Sequence, residues 1–351
     1  MTEFWRGRRV LVTGHTGFKG SWLSLWLAGK GARVFGLALP PASPRDLSVA
    51  LKSADHVDAV LDDIRTPAVC EASIHRAQPD VVFHLAAQAL VRPAYADPIG
   101  TWSTNVMGTL NLLQALAKAG RPCAVVVATT DKVYENHEWT QAYRESDGLG
   151  GHDPYSASKA ATEILVASER RSFLSERGIR IATARAGNVI GGGDRSPDRL
   201  VPDLVRAFES GKALEVRNPS SVRPWQHVLD PLNGYMMLAQ ALAAAQPDAE
   251  GAFDFGPGPS GHRTVAELVE TCRKHWPGPW AHLQEAGAPH EAGLLKLATE
   301  KARSLLGWSP RWDFEAAVEN TVKAYRAFAA GEDARTVCKD QIAAFEAGGH
   351  P

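Results

Sequence analysis

Between residues 8 and 187 the chain alternates short apolar runs with helical stretches. No other feature restricts its fold as much. RRVLVT (8–13), RVFGLAL (33–39), VDAVLDDI (57–64), DVVFHLAA (80–87), CAVVVATT (123–130) and RIATARAG (180–187) each have strand length and are rich in branched apolar side chains. Helical patterns separate them: residues 18–30, where Trp22, Leu23, Leu25, Trp26 and Leu27 recur, then 101–119 and 154–177. Asp153 is placed to cap the last of these, with Pro154 in its first turn. Strands joined through helices run parallel with right-handed crossovers, so the expected class is α/β with a doubly wound parallel sheet. Beyond residue 187 the rhythm breaks into GNVIGGGDRSPDRLVP and RNPSSVRPWQHV, followed by helices near 230–245, 264–275 and 313–330. The expected organisation is 1–187 as a nucleotide-binding domain with the catalytic residues. Residues 188–351 form a smaller mixed substrate-side subdomain, with segments returning to the sheet.

Composition removes several alternatives. The 351 residues carry a formal net charge of −1, which favours neither nucleic acid nor an anionic membrane as a bulk partner. No apolar run approaches the ~20 residues of a membrane helix. The N-terminus, MTEFWRGRRVLVTG, has no apolar signal core, so the expected location is cytoplasmic. Cys70, Cys123, Cys272 and Cys338 are scattered without metal-ligand spacing and read as reduced thiols, and no metal is expected.

TGHTGFKG (13–20) places Gly14, Gly17 and Gly20 directly between the first strand and the first helix. A dinucleotide fold needs glycines there for a tight turn, for backbone approach to the pyrophosphate and for close helix–sheet packing. The helix N-terminus adds free N–H groups for phosphate. The acid that usually meets the adenosine ribose is missing: LALPPASPRD has none before Asp46. His15 and Lys19 are therefore candidates to help hold cofactor phosphate. Asp63, after the third strand, is placed to meet the adenine amino group.

YSASK (155–159) sets Tyr155 and Lys159 four apart on one helix face. A free tyrosine, with a pKa of about 10, is a poor base at neutral pH. A nearby ammonium stabilises its phenolate. The pair can then take a proton from a sugar hydroxyl while a hydride leaves to nicotinamide.

TGxxGxxG followed by YxxxK resembles the extended short-chain dehydrogenase/reductase superfamily, whose members commonly modify nucleotide sugars. HLAAQ (84–88), TNVMGT (104–109) and GNV (187–189) fit the same pattern. TGHTGFKGSWL, TTDKVYEN, EWTQAYRESDGLGGHDPYSASKAATE, ARAGNVIGGGD, RPWQHVLDPLNGY and PHEA are similar, more narrowly, to the family of bacterial CDP-glucose 4,6-dehydratases, over about residues 6–345. The resemblance implies a Rossmann-type sheet, NAD as cofactor, CDP-glucose as substrate, and a homodimer or dimer of dimers in which helices 101–119 and 154–177 form a four-helix interface. The implied reaction oxidises the sugar at C4, eliminates water across C5–C6 and returns hydride to C6. Its product is a precursor of deoxysugars in surface polysaccharide. Cofactor contacts are implied at Gly14, His15, Thr16, Gly17, Phe18, Lys19, Gly20, Asp63, Ile64, Leu85, Ala86, Ala87, Gln88, Thr104, Tyr155 and Lys159. Substrate contacts are implied at Asn188, Arg199, Leu200, Val201, Arg223 and His290, with Arg223 in the place of the family's phosphate-binding arginine. Trp225 could stack on a base or fill a core.

The same resemblance gives TTDKVYEN (129–136) its chemistry. Thr130 would bond the C4 oxygen, Asp131 would protonate the departing C6 hydroxyl, and Tyr155 would be the C4 base. Lys132 stands where dehydratases acting on dTDP-glucose carry a glutamate as C5 base. Neutralising a lysine at pH 7 takes a drop of over ~3 pKa units, roughly 4 kcal/mol. Either Lys132 is a strongly depressed base, or it stays charged beside an enolate while Glu135 or a water takes the C5 proton. Two other classes stay open. A nucleotide-sugar 4-epimerase or reductase would not need the acid at Asp131. A non-enzymatic dinucleotide sensor would not need Thr130, Tyr155 and Lys159 together.

Overall fold

The computed structural model describes residues 2–283 and 294–348. Its centre is a seven-stranded sheet: β1 (Arg9–Thr13), β2 (Arg33–Ala38), β3 (Val57–Leu61), β4 (Val81–His84), β5 (Ala124–Ala128), β6 (Arg180–Ala186) and β7 (Gly251–Phe255). The spatial order is β7-β6-β5-β4-β1-β2-β3, with every neighbouring pair parallel. The order reverses between β1 and β4, which opens a crevice at the carboxyl ends of the strands, where doubly wound sheets bind ligands.

Strand alternation divides the core into two layers. Val10 and Val12 of β1, Val81 and Phe83 of β4, and Val126 of β5 face one layer. It is filled by α1 (Phe18–Gly29), and further along the chain by α6 (Leu229–Ala243) and α9 (Ala334–Glu346). Leu11, Val82, Val125 and Val127 face the other, against α2 (Pro67–Ala77), α3 (Gly108–Ala119) and the later turns of the long helix that follows β5. That helix, α4 (Pro154–Glu169), is capped by Asp153, whose carboxylate accepts the Ser156 amide at 3.0 Å, and it runs on through a π turn and a 3-10 turn to Arg177. The stretch expected at 101–119 is longer: it begins at Pro98 and passes through a π turn at Ser103–Met107 before α3.

The rest of the C-terminal half has its own core. Helices α5 (Leu200–Glu209), α7 (Val265–His275) and α8 (Phe314–Ala329) surround three two-stranded pairs. Thr264 and Glu267 form a reciprocal capping box on α7. Trp225 is a core residue here, with its indole N–H on the Arg263 carbonyl at 3.0 Å, so it has no face left for a base. Three elements of this half return to the sheet: α6 packs on its face, β7 extends it beyond β6, and α9 covers α1. The α9 contact leaves Gly20 to Leu27 all buried, and the Trp26 indole donates to Glu346 at 2.6 Å. The four cysteines are buried and unbridged. Among the described residues, no helix is long and apolar enough to cross a membrane.

Candidate active site

The glycine loop turns where close approach leaves no room for a side chain. Gly14 has φ +73°, and a Cβ there would lie 2.7 Å from the Ala86 amide nitrogen. A Cβ on Gly20 would lie 2.1 Å from the Gly14 carbonyl oxygen. Gly17 is the N-cap of α1, so the first-turn amides of Phe18, Lys19 and Gly20 lack helical acceptors and face the crevice. Thr16 ties the loop to the end of β2 through the Leu39 carbonyl at 2.9 Å. The buried His84 bridges Thr13 and Thr109 at 2.7 and 2.8 Å, and Thr13 in turn holds the Ala86 amide. Leu85, Ala86, Ala87 and Gln88 thus form the opposite lip. Asn105, beside Thr104 in the π turn, grips Gln88 through both its amide and its carbonyl and donates to Ser158 on α4. Ile64 is buried against Gly108, where a Cβ would meet it at 2.8 Å.

Two residues of the expected cofactor set lie differently from a simple phosphate clamp. The His15 ring is buried on Gly36 of β2, with Nδ1 unpartnered, and burial lowers its pKa to about 4, so it is neutral. Lys19 turns away from the loop toward Asp131 and Tyr235. Asp63 is clasped by Arg65, whose guanidinium holds its carboxyl below the usual range.

At the end of β5 the two threonines point opposite ways. Thr129 donates to Glu163 at 2.6 Å, behind the site. Thr130 caps the short turn Asp131–Val133, hydrogen-bonds Asp131 at 3.0 Å and is hydrogen-bonded to Tyr155. Asp131 is 3% exposed. Burial pushes its carboxyl up, while Lys132, Thr130, Arg223 and Lys19 pull it down. Its Oδ2 lies near Gly187, where a Cβ would meet it at 3.1 Å and Pro224 at 2.6 Å, so the glycine of GNV lets the Arg223 strand close on the carboxyl. Burial also raises Tyr155, offset by Thr130 and then Arg199. The Lys159 ammonium donates to the Ala128 carbonyl at 2.9 Å, and burial lowers it to about 8 against the pull of Glu163. The i, i+4 spacing puts Lys159 on the tyrosine's face, but the open carbonyl at the strand end takes its ammonium.

The decisive pieces, a glycine turn opening α1 and a buried Thr–Asp–Tyr–Lys cluster at the β5 end, share one crevice. Residues 10–250 match the family described as NAD dependent epimerase/dehydratase. The chain belongs to the NAD dependent epimerase/dehydratase family. It is 44% identical over 346 residues to a CDP-glucose 4,6-dehydratase of Salmonella typhimurium, covering 97% of this chain and 96% of the relative. A dTDP-glucose 4,6-dehydratase of Xanthomonas campestris is 28% identical, covering 90% and 92%. Among solved structures, DesIV, a dTDP-glucose 4,6-dehydratase of Streptomyces venezuelae with NAD bound, superposes with a TM-score of 0.78 at 27% identity, covering 93% of this chain and 99% of that one. The glycine cradle and the first-turn amides fit the dinucleotide of this epimerase/dehydratase family.

Outside the crevice centre, Arg199 donates to the Ala89 carbonyl at 3.2 Å, and its charge reaches Tyr155 and Lys19. Asn188 is half-buried and gives its carbonyl to Gln226 at 3.1 Å. Leu200 and Val201 open α5, but Val201 buries its side chain in the C-terminal core, which leaves only its backbone for a ligand. His290 lies outside the described residues. Glu135 is exposed and packed on Gly150.

Sequence reasoning passed over the support behind this site. Glu163 accepts from Thr129, Thr183 and Arg185 on both oxygens, at 2.6–3.0 Å. Arg185 continues to the Tyr134 hydroxyl, and Tyr134 to Asp254 on β7 at 2.6 Å. The signal was present: Glu163 follows Tyr155 and Lys159 at the same four-residue step.

Proposed function

We propose that the protein is an NAD-dependent hydro-lyase that converts CDP-glucose to CDP-4-dehydro-6-deoxyglucose. The observation that carries this reading is Asp131, a buried carboxyl raised by desolvation, bonded to the threonine that also holds Tyr155. An epimerase has no use for an acid there. The similarity to the Salmonella dehydratase supports the nucleotide.

Bound NAD supplies a hydride acceptor for C4 and then a hydride donor for C6. Tyr155 takes the C4 hydroxyl proton, with Thr130 holding the same oxygen and Lys159 holding the cofactor ribose. Asp131 gives its proton to the C6 hydroxyl as water departs. Lys132, whose charge acts on Asp131, stabilises the C5 enolate. With Glu135 exposed and packed on Gly150, a water takes the C5 proton. Arg223 and Arg199, with Asn188, hold the diphosphate side. Residues 1–187 supply cofactor and chemistry, and 188–351 mainly the substrate.

The protein acts as a cytoplasmic homodimer, feeding deoxysugar and surface polysaccharide synthesis. Ile99, Trp102 and Met107 before α3, with Ile164 and Phe173 on the α4 helix, stand exposed, Ile99 and Ile164 at 82% and 62%. Large apolar side chains grouped this way suit a helix-to-helix interface.

Purified protein with CDP-glucose and NAD in D2O, followed by proton NMR, tests the reading, with UDP-, dTDP- and GDP-glucose in parallel. A 4-keto-6-deoxy product with deuterium at C5 and no net NADH is expected. A C4 epimer that keeps its C6 hydroxyl would overturn it. A Lys132→Met variant should still exchange the C5 proton; loss of that exchange would make Lys132 the base.

A further inference from the structure

One cation in the crevice has no part in the roles above. Lys19 lies in the first turn of α1, where a lysine could reach forward to phosphate. Its side chain instead crosses toward the reacting end. The ammonium sits 6.0 Å from the centroid of the Tyr235 ring on α6. The charges that act on it come from four elements: Arg199 before α5, Asp131 after β5, Lys159 on α4 and Asp194 in the GGGD loop. It makes no hydrogen bond or ion pair among the described residues. Tyr235 is fully buried, its hydroxyl has no partner, and it lies close enough to Tyr155 to act on it. An aromatic face can hold an ammonium without neutralising it.

We propose that Lys19 sets the redox balance of the bound cofactor: its charge disfavours the cationic oxidised nicotinamide relative to the neutral reduced one, which makes NAD a stronger hydride acceptor in this crevice. The physical reason is charge count. A hydride leaving the sugar C4 carries two electrons, so the sugar is oxidised to a ketone, the nicotinamide is reduced, and the ring's positive charge disappears. The hydroxyl proton goes to Tyr155. A fixed cation at this end is relieved by that change, whereas one on the pyrophosphate would act on both cofactor forms alike. Burial, with Arg199 and Lys159 adding to it, lowers the Lys19 pKa to about 8, so its charge is present at neutral pH and lost on mild alkalinisation.

This rests on the cofactor and not on the proposed sugar, so it is tested without sugar. Protein stripped of nucleotide is titrated with NADH by fluorescence and with NAD by competition, for the wild type, Lys19→Met and Lys19→Arg. The ratio Kd(NAD)/Kd(NADH) should fall about tenfold in Lys19→Met, equivalent to about 1.4 kcal/mol, and hold in Lys19→Arg. In the wild type the ratio should fall between pH 7 and pH 9. Lys159 also titrates there, so the part of that dependence that Lys19→Met removes belongs to Lys19. A Lys19→Met variant that weakens NAD and NADH equally would overturn the proposal and make Lys19 a phosphate or packing residue. If that variant binds neither form, a pH-independent ratio in the wild type would overturn it instead.

Discussion

A single residue step divides the labour at the end of β5. Thr129 turns back into the buried network and Thr130 forward to Tyr155, because successive strand residues face opposite sides. Asp131 then occupies a position where burial and neighbouring cations oppose each other. Asp131→Asn keeps the shape and removes the proton. It should slow water elimination by about 10²–10⁴-fold while C4 oxidation continues, so enzyme-bound NADH should accumulate and show as absorbance at the reduced cofactor's band. The candidate residues at this scale were legible where the requirement is local. TGHTGFKG sits between a strand and a helix, and Tyr155 and Lys159 share a helical step. The direction of Lys19 was not legible, because α6 and the Asp194 loop decide it, and both lie far away in the chain. The carbonyl that takes Lys159 was hidden for the same reason, since it becomes available only where β5 ends beside α4.

Among the elements, α1 is the most constrained. It must start within touching distance of the loop that feeds it, and it is covered on its outer side by α9. Gly20→Ala would drive a methyl into the Gly14 carbonyl. Overpacking of this kind costs about 1–3 kcal/mol, and isothermal titration should show NAD affinity reduced by at least tenfold, while Gly29→Ala, whose Cβ meets nothing within 4 Å, should leave it unchanged. Six of the seven strands could be read from apolar runs bounded by turns. β7 could not: GAFDF begins on a glycine at φ +107° and carries an aspartate, and it becomes a strand only by pairing with β6. Helix α9 was equally hidden, because its apolar residues are mostly small and take their meaning from Trp26.

For the whole molecule, the exposed apolar group on the α4 side predicts association. Ile164→Glu should convert a dimer to a monomer in sedimentation experiments without lowering NAD binding. Stability should also respond to Asp230, at the start of α6. Its Oδ1 accepts the Arg311 amide at 2.7 Å, its Oδ2 has no partner, and burial raises its pKa to about 7. In the folded chain it is therefore neutral where the unfolded chain, at about 4, is already ionised. Folding loses stability as pH rises from about 4 to about 7, by up to about 4 kcal/mol. Asp230→Asn should remove that slope, so denaturant melts of the two proteins should diverge in the variant's favour toward pH 7. The Glu163–Arg185–Tyr134–Asp254 chain of contacts has a consequence for how the protein is made. During synthesis the residues that orient the catalytic helix emerge early, yet their last partner, Asp254, arrives only once synthesis is well into the next subdomain. Until then the buried Tyr134 hydroxyl and the β6 sheet edge wait without those partners, so the nascent N-terminal half should depend on chaperones and acquire cofactor only late.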